Sequence, residues 1–319
     1  MPIVSLLSAD SYDLKQLRNS LENLLRPLGG IESFVKTGDR VLLKPNLLMA
    51  GYSGRECITR PEILHAIATM VYEAGGKPFF GDSPAFGSAK GVAKANGYTS
   101  ILEELDIPVV EFHAKRYDTN SPNFQNLLLS KETMEADVVI NLPKIKSHVQ
   151  LTITLGVKNL FGCVPGKTKA WWHLEAGKDP ERFGEMLVET ARAIKPDLTI
   201  IDGIMAHQGN GPNQGDPRFL GLLGASRDVF ALDQIIAQIL DVDPNWVPTL
   251  VAQEKLGLSY NLADIEFPLA HPRDLYVNDW KLPEALVPID FSLPRIVGST
   301  FKHLYMLMIK EPIQSYSKK

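Results

Sequence analysis

The chain has 319 residues, 45% apolar and 22% charged, with a formal charge of -4. That size and composition suit one large α/β domain or two smaller ones with a sizeable core. The net charge gives no whole-protein attraction to nucleic acid or to an anionic membrane, so any anion binding must be local.

Its two cysteines, Cys57 and Cys163, are far apart. They argue against a disulfide framework, a zinc knuckle or a self-contained iron-sulfur centre, and they fit a reducing compartment. Residues 1–10 lack a basic n-region and a long apolar h-region, and no window approaches about eighteen uninterrupted apolar residues. The expected location is the cytoplasm.

In chain order, residues 3–7 read as a strand and 12–28 as a helix with Leu14, Leu17, Leu21 and Leu24 on one face. Residues 40–46 form a second strand, ending at Lys44, Pro45 and Asn46. Polar groups just past the carboxyl end of a strand sit where open α/β sheets bind ligands, so Lys44 and Asn46 are either ligand contacts or a solvated turn. Thr59, Pro61 and Glu62 predict a helix start with Thr59 as N-cap, and Ile63, Leu64, Ile67, Met70 and Val71 line its apolar face. A strand over 77–81 delivers Asp82, Ser83 and a glycine-bearing turn. That turn is neither a P-loop nor a dinucleotide fingerprint.

A helix over 98–105, a strand over 108–112 and a polar connection over 113–126 follow. Residues 151–161 have helical character interrupted by the β-branched run Thr152, Ile153 and Thr154. Residues 180–194 read as a helix with Phe183, Met186, Leu187, Ala191 and Ile194 inward. A strand over 198–204, a long Gly/Asn/Pro-rich loop over 205–218, a strand over 219–225 and a helix over 227–240 complete the alternation. Such long loops are functional or disordered.

The pattern predicts a doubly wound, mostly parallel α/β sheet with helices on both faces. Residues 1–267 form the domain and 268–319 a proline-rich arm. Its apolar-basic run over 301–310 reads as a packing helix, a docking helix or an amphipathic membrane-surface helix.

Residues 136–173 stand apart, because no carboxylate occurs between Val138 and Leu174. Lys144, Lys146 and His148 share one face if the strand continues past Pro143, and Lys158 and His173 follow at spacings that a turn and a helix could fold into one cleft. Lysine with histidine can hold an anion, move a proton near neutral pH or attach a cofactor.

VLLKPN at 41–46, TRPEIL at 59–64, GDSP at 81–84, INLPKIKSHVQLTITLGVKNLFG at 140–162 and DG with GNGPNQG at 202–215 resemble the domain-of-unknown-function family number 362. The resemblance implies the fold and a shared site. Many members carry a ferredoxin-like module with two [4Fe-4S] clusters after the common domain. This chain has no such cysteines, so it is expected to be a short member or one cut before the module. A fainter resemblance is to the lactate racemase family, whose nickel-pincer nucleotide is joined to a lysine. His148, Lys158 and His173 match that family's spacing. The stretch Thr154 to Val157 in place of a glycine run, and Gly81-Asp82-Ser83 in place of a Gly-Thr-His turn, count against the pincer and against two-base racemisation.

The sequence therefore predicts a cleft built from Lys44, Asn46, Asp82, Ser83, Lys144, Lys146, His148, Lys158, Asn159, His173 and Asn210, with no protein-bound metal. The expected activity is an enzyme reaction on a small anionic substrate. The lysines would hold the anion, His148 or His173 would move the proton, and a ferredoxin-like donor could supply electrons. The alternative is a metabolite- or nucleotide-binding scaffold that docks through its arm. Nucleic-acid binding is not expected, for want of a basic helix or an aromatic-interleaved patch.

Overall fold

A computed structural model describes residues 1–51, 56–166, 169, 172 and 179–287. The chain opens with β1 (Val4–Ser8) and α1 (Leu14–Leu25), then runs through β2 (Arg40–Pro45), α2 (Pro61–Glu73) and β3 (Lys77–Gly81). Helices α3 (Ala89–Ala95) and α4 (Thr99–Glu104) lead to β4 (Val109–Val110). Strands β5 (Ala114–Asp118) and β6 (Asn126–Ser130) precede α5 (Lys131–Met134) and β7 (Val138–Leu142). Next come β8 (Lys144–His148), β9 (Thr152–Thr154) and α6 (Gly156–Leu160). The remainder is α7 (Pro180–Ile194), β10 (Leu198–Gln208), β11 (Asp216–Ser226), α8 (Val229–Ile239) and α9 (Pro248–Lys255).

One mixed sheet carries the fold, in the order β1-β11-β10-β7-β2-β3-β4, with β8 attached to β10 and β9 to β8. Strands β10, β7, β2, β3 and β4 are mutually parallel, whereas β11, β1 and β9 pair antiparallel with their neighbours. The chain moves outward from β2 through β3 to β4 and returns to place β7 on the other side of β2. The carboxyl ends of β2 and β7 therefore form a switch point, the crevice where open α/β sheets take ligands.

Period-two alternation sorts the core. Val41 and Leu43 pack with α1 and α2, while Leu42 faces α7 with Phe183 and Met186. Leu6, Ile201 and Leu222 pack against Leu232, Ile235 and Ile236 of α8. The large, mostly parallel sheet thus has helices on both faces, as the alternation predicts. Cys57 and Cys163 are buried and belong to separate clusters.

Several local expectations change. The connection over 113–126 contains β5 and part of β6, paired antiparallel from Ala114 opposite Ser130 to Asp118 opposite Asn126. The β-branched run at 152–154 is strand β9, and the helix is confined to α6. Strands β10 and β11 stay paired out to Gln208 opposite Asp216, so the expected loop shrinks to a hairpin tip over 209–215. Polar residues at the end of a paired hairpin look like loop in sequence, because the pairing partner lies across the turn. Thr59 is not the N-cap of α2, a position Arg60 occupies. Its hydroxyl instead donates to Leu142 O (2.6 Å) and accepts from Asn46 N–H (2.8 Å), tying the ends of β2 and β7 together. Leu14, at the first turn of α1, is exposed rather than inward.

The described part of the arm is attached to the domain. Ala270 N–H donates to Leu6 O, Val277 N–H to Ile239 O and Val287 N–H to Val149 O, and Trp280 and Leu282 pack on the α8 cluster. The helix expected over 301–310 lies outside the described residues. Among those described, no helix is long and apolar enough to cross a membrane.

Ile140 is fully buried in β7, between β10 and β2. Ile140→Ala should cost about 2–5 kcal/mol through lost transfer energy and the cavity left behind, measured by urea denaturation.

Candidate functional site

Three polar nodes meet at the carboxyl edge of the sheet. The first joins the ends of β2 and β3. Lys44 is fully buried; its Nζ donates to Pro45 O (2.7 Å) and pairs with Asp82 Oδ1 (3.0 Å). Asp82 Oδ2 accepts Leu47 N–H (3.1 Å). A Cβ on Gly162 would lie 2.1 Å from Asp82 Oδ1 and 2.5 Å from Lys44 Nζ, so only glycine lets the turn after α6 cross this pair.

The second node locks the start of α1 to β8 and β10. Lys144 Nζ contacts Asp202 Oδ2 (2.9 Å), Tyr12 Oη (3.2 Å) and Glu56 Oε2 (3.5 Å). Tyr12 donates to Asp202 Oδ1 (2.6 Å) and accepts Met205 N–H (3.1 Å). Burial and the Asp202 charge push the Tyr12 phenol far above its ordinary range, so it stays a donor. Arg60 N–H also donates to Asp202 Oδ2 (3.1 Å).

The third node is a string of amides. Lys146 Nζ donates to Asn46 Oδ1 (2.7 Å) and Cys57 O (2.8 Å). Asn46 Nδ2 donates to Asn159 Oδ1 (3.0 Å), and Asn159 Nδ2 to Asn141 Oδ1 (2.8 Å) and Lys44 O (3.2 Å). Asn141 Nδ2 continues to Gly156 O (3.1 Å). Helix α6 is fixed at its start by Asp233, whose carboxylate accepts the N–H groups of Gly156 (2.7 Å) and Val157 (2.9 Å). Burial nevertheless pushes that carboxyl up to about 7.

Lys158 sits in the last turn of α6 with its Nζ 4.5 Å from the Phe161 ring centroid. Lys169 Nζ lies 5.8 Å from the same ring and donates to Ser83 O. Burial first, then the charges of Lys169, Lys146 and Lys44, push Lys158 down to about 7. Burial also lowers Lys146 and Lys169 to about 8 each. An ammonium has three N–H donors. Lys144 donates to Asp202 and Tyr12 and has Glu56 as a second carboxylate at ion-pair distance, whereas Lys44 and Lys146 have two oxygen partners each, Lys169 has one and Lys158 has none among the described residues.

Contacts join Lys44, Asn46, Asp82, Lys146 and Asn159 directly, with Ser83 linked through Lys169. Lys144, Lys146 and His148 alternate along β8, so the three share a face once that strand forms. His148 closes the strand with Nδ1 accepting Gln150 N–H (3.0 Å). Asn210 is at the hairpin tip, where Oδ1 accepts Glu284 N–H (3.1 Å) and holds the arm. His173 lies outside the described residues.

Sequence reasoning passed over Lys169, Tyr12, Asp202 and His207. Lys169 does fall in the acid-free stretch, which was a usable signal. His207 lies opposite Lys146 in the β8–β10 register, buried, with Nδ1 lacking a hydrogen-bond partner among the described residues. Burial and Lys146 hold it neutral, at about 4.

Residues 41–238 match the family described as Domain of unknown function (DUF362). The thylakoid-associated protein sll1697 of Synechocystis sp. (strain ATCC 27184 / PCC 6803 / Kazusa) is 66% identical over 316 residues, covering 99% of this chain and 98% of that protein. The lactate racemase apoprotein from Thermoanaerobacterium thermosaccharolyticum is similar at a TM-score of 0.46 and 15% identity, over 62% of this chain and 50% of that one.

The donor count separates two lysines by experiment. Lys144→Met should destabilise the protein by about 3–5 kcal/mol, because Asp202 is left buried without its cation. Lys158→Met should cost far less, since it gives up no hydrogen bond or ion pair among the described residues and Met can keep the contact with the Phe161 ring. Wild-type stability should also rise as pH increases from about 7 toward the ordinary lysine range, because the unfolded chain binds protons that Lys158, Lys146 and Lys169 have given up. Lys158→Met should flatten the lower part of that rise in denaturant titrations.

Proposed function

Because the chain belongs to the DUF362 family, we propose that the lysine cluster at its switch point is the site of an enzyme acting on a small anionic substrate. The observation that carries this reading is the set of lysine N–H donors left without acceptors among the described residues. They belong to Lys44, Lys146, Lys158 and Lys169, groups held beside one another in partly desolvated surroundings. Cations packed this way repel each other, and a bound anion relieves that repulsion. The glycine crossing at Gly162 and the amide string keep the donors in place before substrate arrives, so little ordering cost remains at binding.

In this reading Lys146 and Lys169 hold the anion. Lys158, lowered to about 7, gives or takes a proton near neutral pH. His148 stands at the end of β8 on the same face as Lys146, and His207 is neutral beside it.

Oxalate and inorganic phosphate are suitable probes. By isothermal titration calorimetry, Lys146→Gln and Lys169→Gln should each weaken binding about ten- to hundredfold, the worth of one charge-assisted hydrogen bond. Lys195→Gln, far from the cluster, should leave it unchanged. Affinity should fall as pH rises through about 7 to 8, where Lys158 and then Lys146 and Lys169 lose their protons. Absence of saturable binding of both probes would remove the reading.

A second feature is favoured by the name of the 66% identical relative, a thylakoid-associated protein. We propose that the apolar-basic run over 301–310 gives this chain a peripheral membrane contact, as seven of its ten residues are apolar and the other three, Lys302, His303 and Lys310, are basic. Flotation with anionic vesicles should recover the wild-type chain, and Leu304→Glu with Leu307→Glu should release it. Equal recovery of both would eliminate membrane contact through this run.

A further inference from the structure

We infer that Lys158 is a nucleophilic amine that condenses with the carbonyl group of a small 2-oxo acid, whose carboxylate is held by Lys169 and Lys146. The inference rests on the anion-site reading above and adds a covalent step to it.

Among the described residues, four lysines of the cluster have oxygen acceptors and one does not. Lys44 and Lys144 are neutralised by Asp82 and by Asp202 with Glu56. Lys146 and Lys169 donate to neutral oxygens, of Asn46 and Cys57 and of Ser83, and keep donors for an anion. Lys158 has only the Phe161 ring face among the described residues, and the residue as a whole is half-buried rather than sealed in the core. An ammonium that gives up water without gaining an acceptor favours its neutral form, and neighbouring ammonium groups favour it further. Near neutral pH Lys158 is therefore available as the neutral amine, with a free lone pair.

The carbonyl compound should carry a carboxylate for a charge reason. An iminium at Lys158 restores the positive charge that its surroundings disfavour. A carboxylate on the adjacent carbon brings a compensating negative charge into the same space, with donors ready on Lys169 and Lys146. Neutral Nζ attacks the carbonyl carbon, a C–N bond forms, and the carbonyl π pair moves to oxygen. That oxygen takes up the proton released by nitrogen, giving the carbinolamine. A further proton, from the Lys169 ammonium, lets the hydroxyl leave as water while the nitrogen lone pair forms the C=N bond. One amine, one carbonyl and one proton become one iminium and one water, with no change in oxidation state.

The test is reductive trapping on the full chain. Protein is incubated with pyruvate or glyoxylate and sodium cyanoborohydride, and adducts are located by intact mass and peptide mapping. The expected result is a single adduct on Lys158, formed faster as pH rises from about 6 to 8 and absent from Lys158→Arg. Circular dichroism checks that this variant is folded, and oxalate calorimetry that its anion site persists. Adducts scattered over surface lysines, or a Lys158→Arg variant that traps as well as wild type, would overturn the inference. Oxalate binding without any adduct overturns the imine and leaves the anion site standing. Failure of both measurements removes the two together.

Discussion

Five lysine ammonium groups gather at the carboxyl edge of the sheet, and among the described residues three carboxylates, of Asp82, Asp202 and Glu56, meet them as ion pairs. The surrounding structure depends on this imbalance. Where cation and carboxylate match, as at Lys144 with Asp202, the pair ties β8 and β10 to the start of α1 through Tyr12 and to the start of α2 through the Arg60 N–H. Where they do not, a lysine has to be held by neutral oxygens or by an aromatic face. Buried charges are costly without partners, so such positions persist where a ligand completes them.

The amide string explains how unpaired cations are kept in register. Lys146 leans on Asn46, Asn46 on Asn159 and Asn159 on Asn141, so a polar rail runs from β8 across the end of β2 to α6 and back to β7. Each amide offers both a donor and an acceptor, which lets one strand end satisfy the next without adding charge. Asp233 performs the matching task at the start of α6, and Thr59 closes the gap between β2 and β7. These contacts are nonlocal, and each lies at the switch point of the sheet.

The same arrangement divides labour among chemically identical side chains. Lys44 and Lys144 act as structural cations, Lys146 and Lys169 retain donors for an anion, and Lys158 approaches the behaviour of a free amine. A cavity of about 820 Å³ elsewhere, lined by Arg192, Arg227 and Tyr260, includes none of these lysines.

Much of this molecule could be read from the chain alone. Leu17, Leu21 and Leu24, the inward face of α7 and the inward face of α8 follow from helical spacing, KPN and GDSP stand at the ends of β2 and β3 where they were expected, and KIKSH forms strand β8. Helix and strand periods are local geometry, so a short window of residues determines them. Which lysine keeps a partner is not local. Lys144 meets Asp202 58 positions away, and Tyr12 reaches the same carboxylate across 190. His207 comes beside Lys146 only because β10 runs on past Gly203 as half of a hairpin. The chain alone determined the layers and the acid-free lysine stretch; the register between distant strands decided which ammonium groups are neutralised and which remain open.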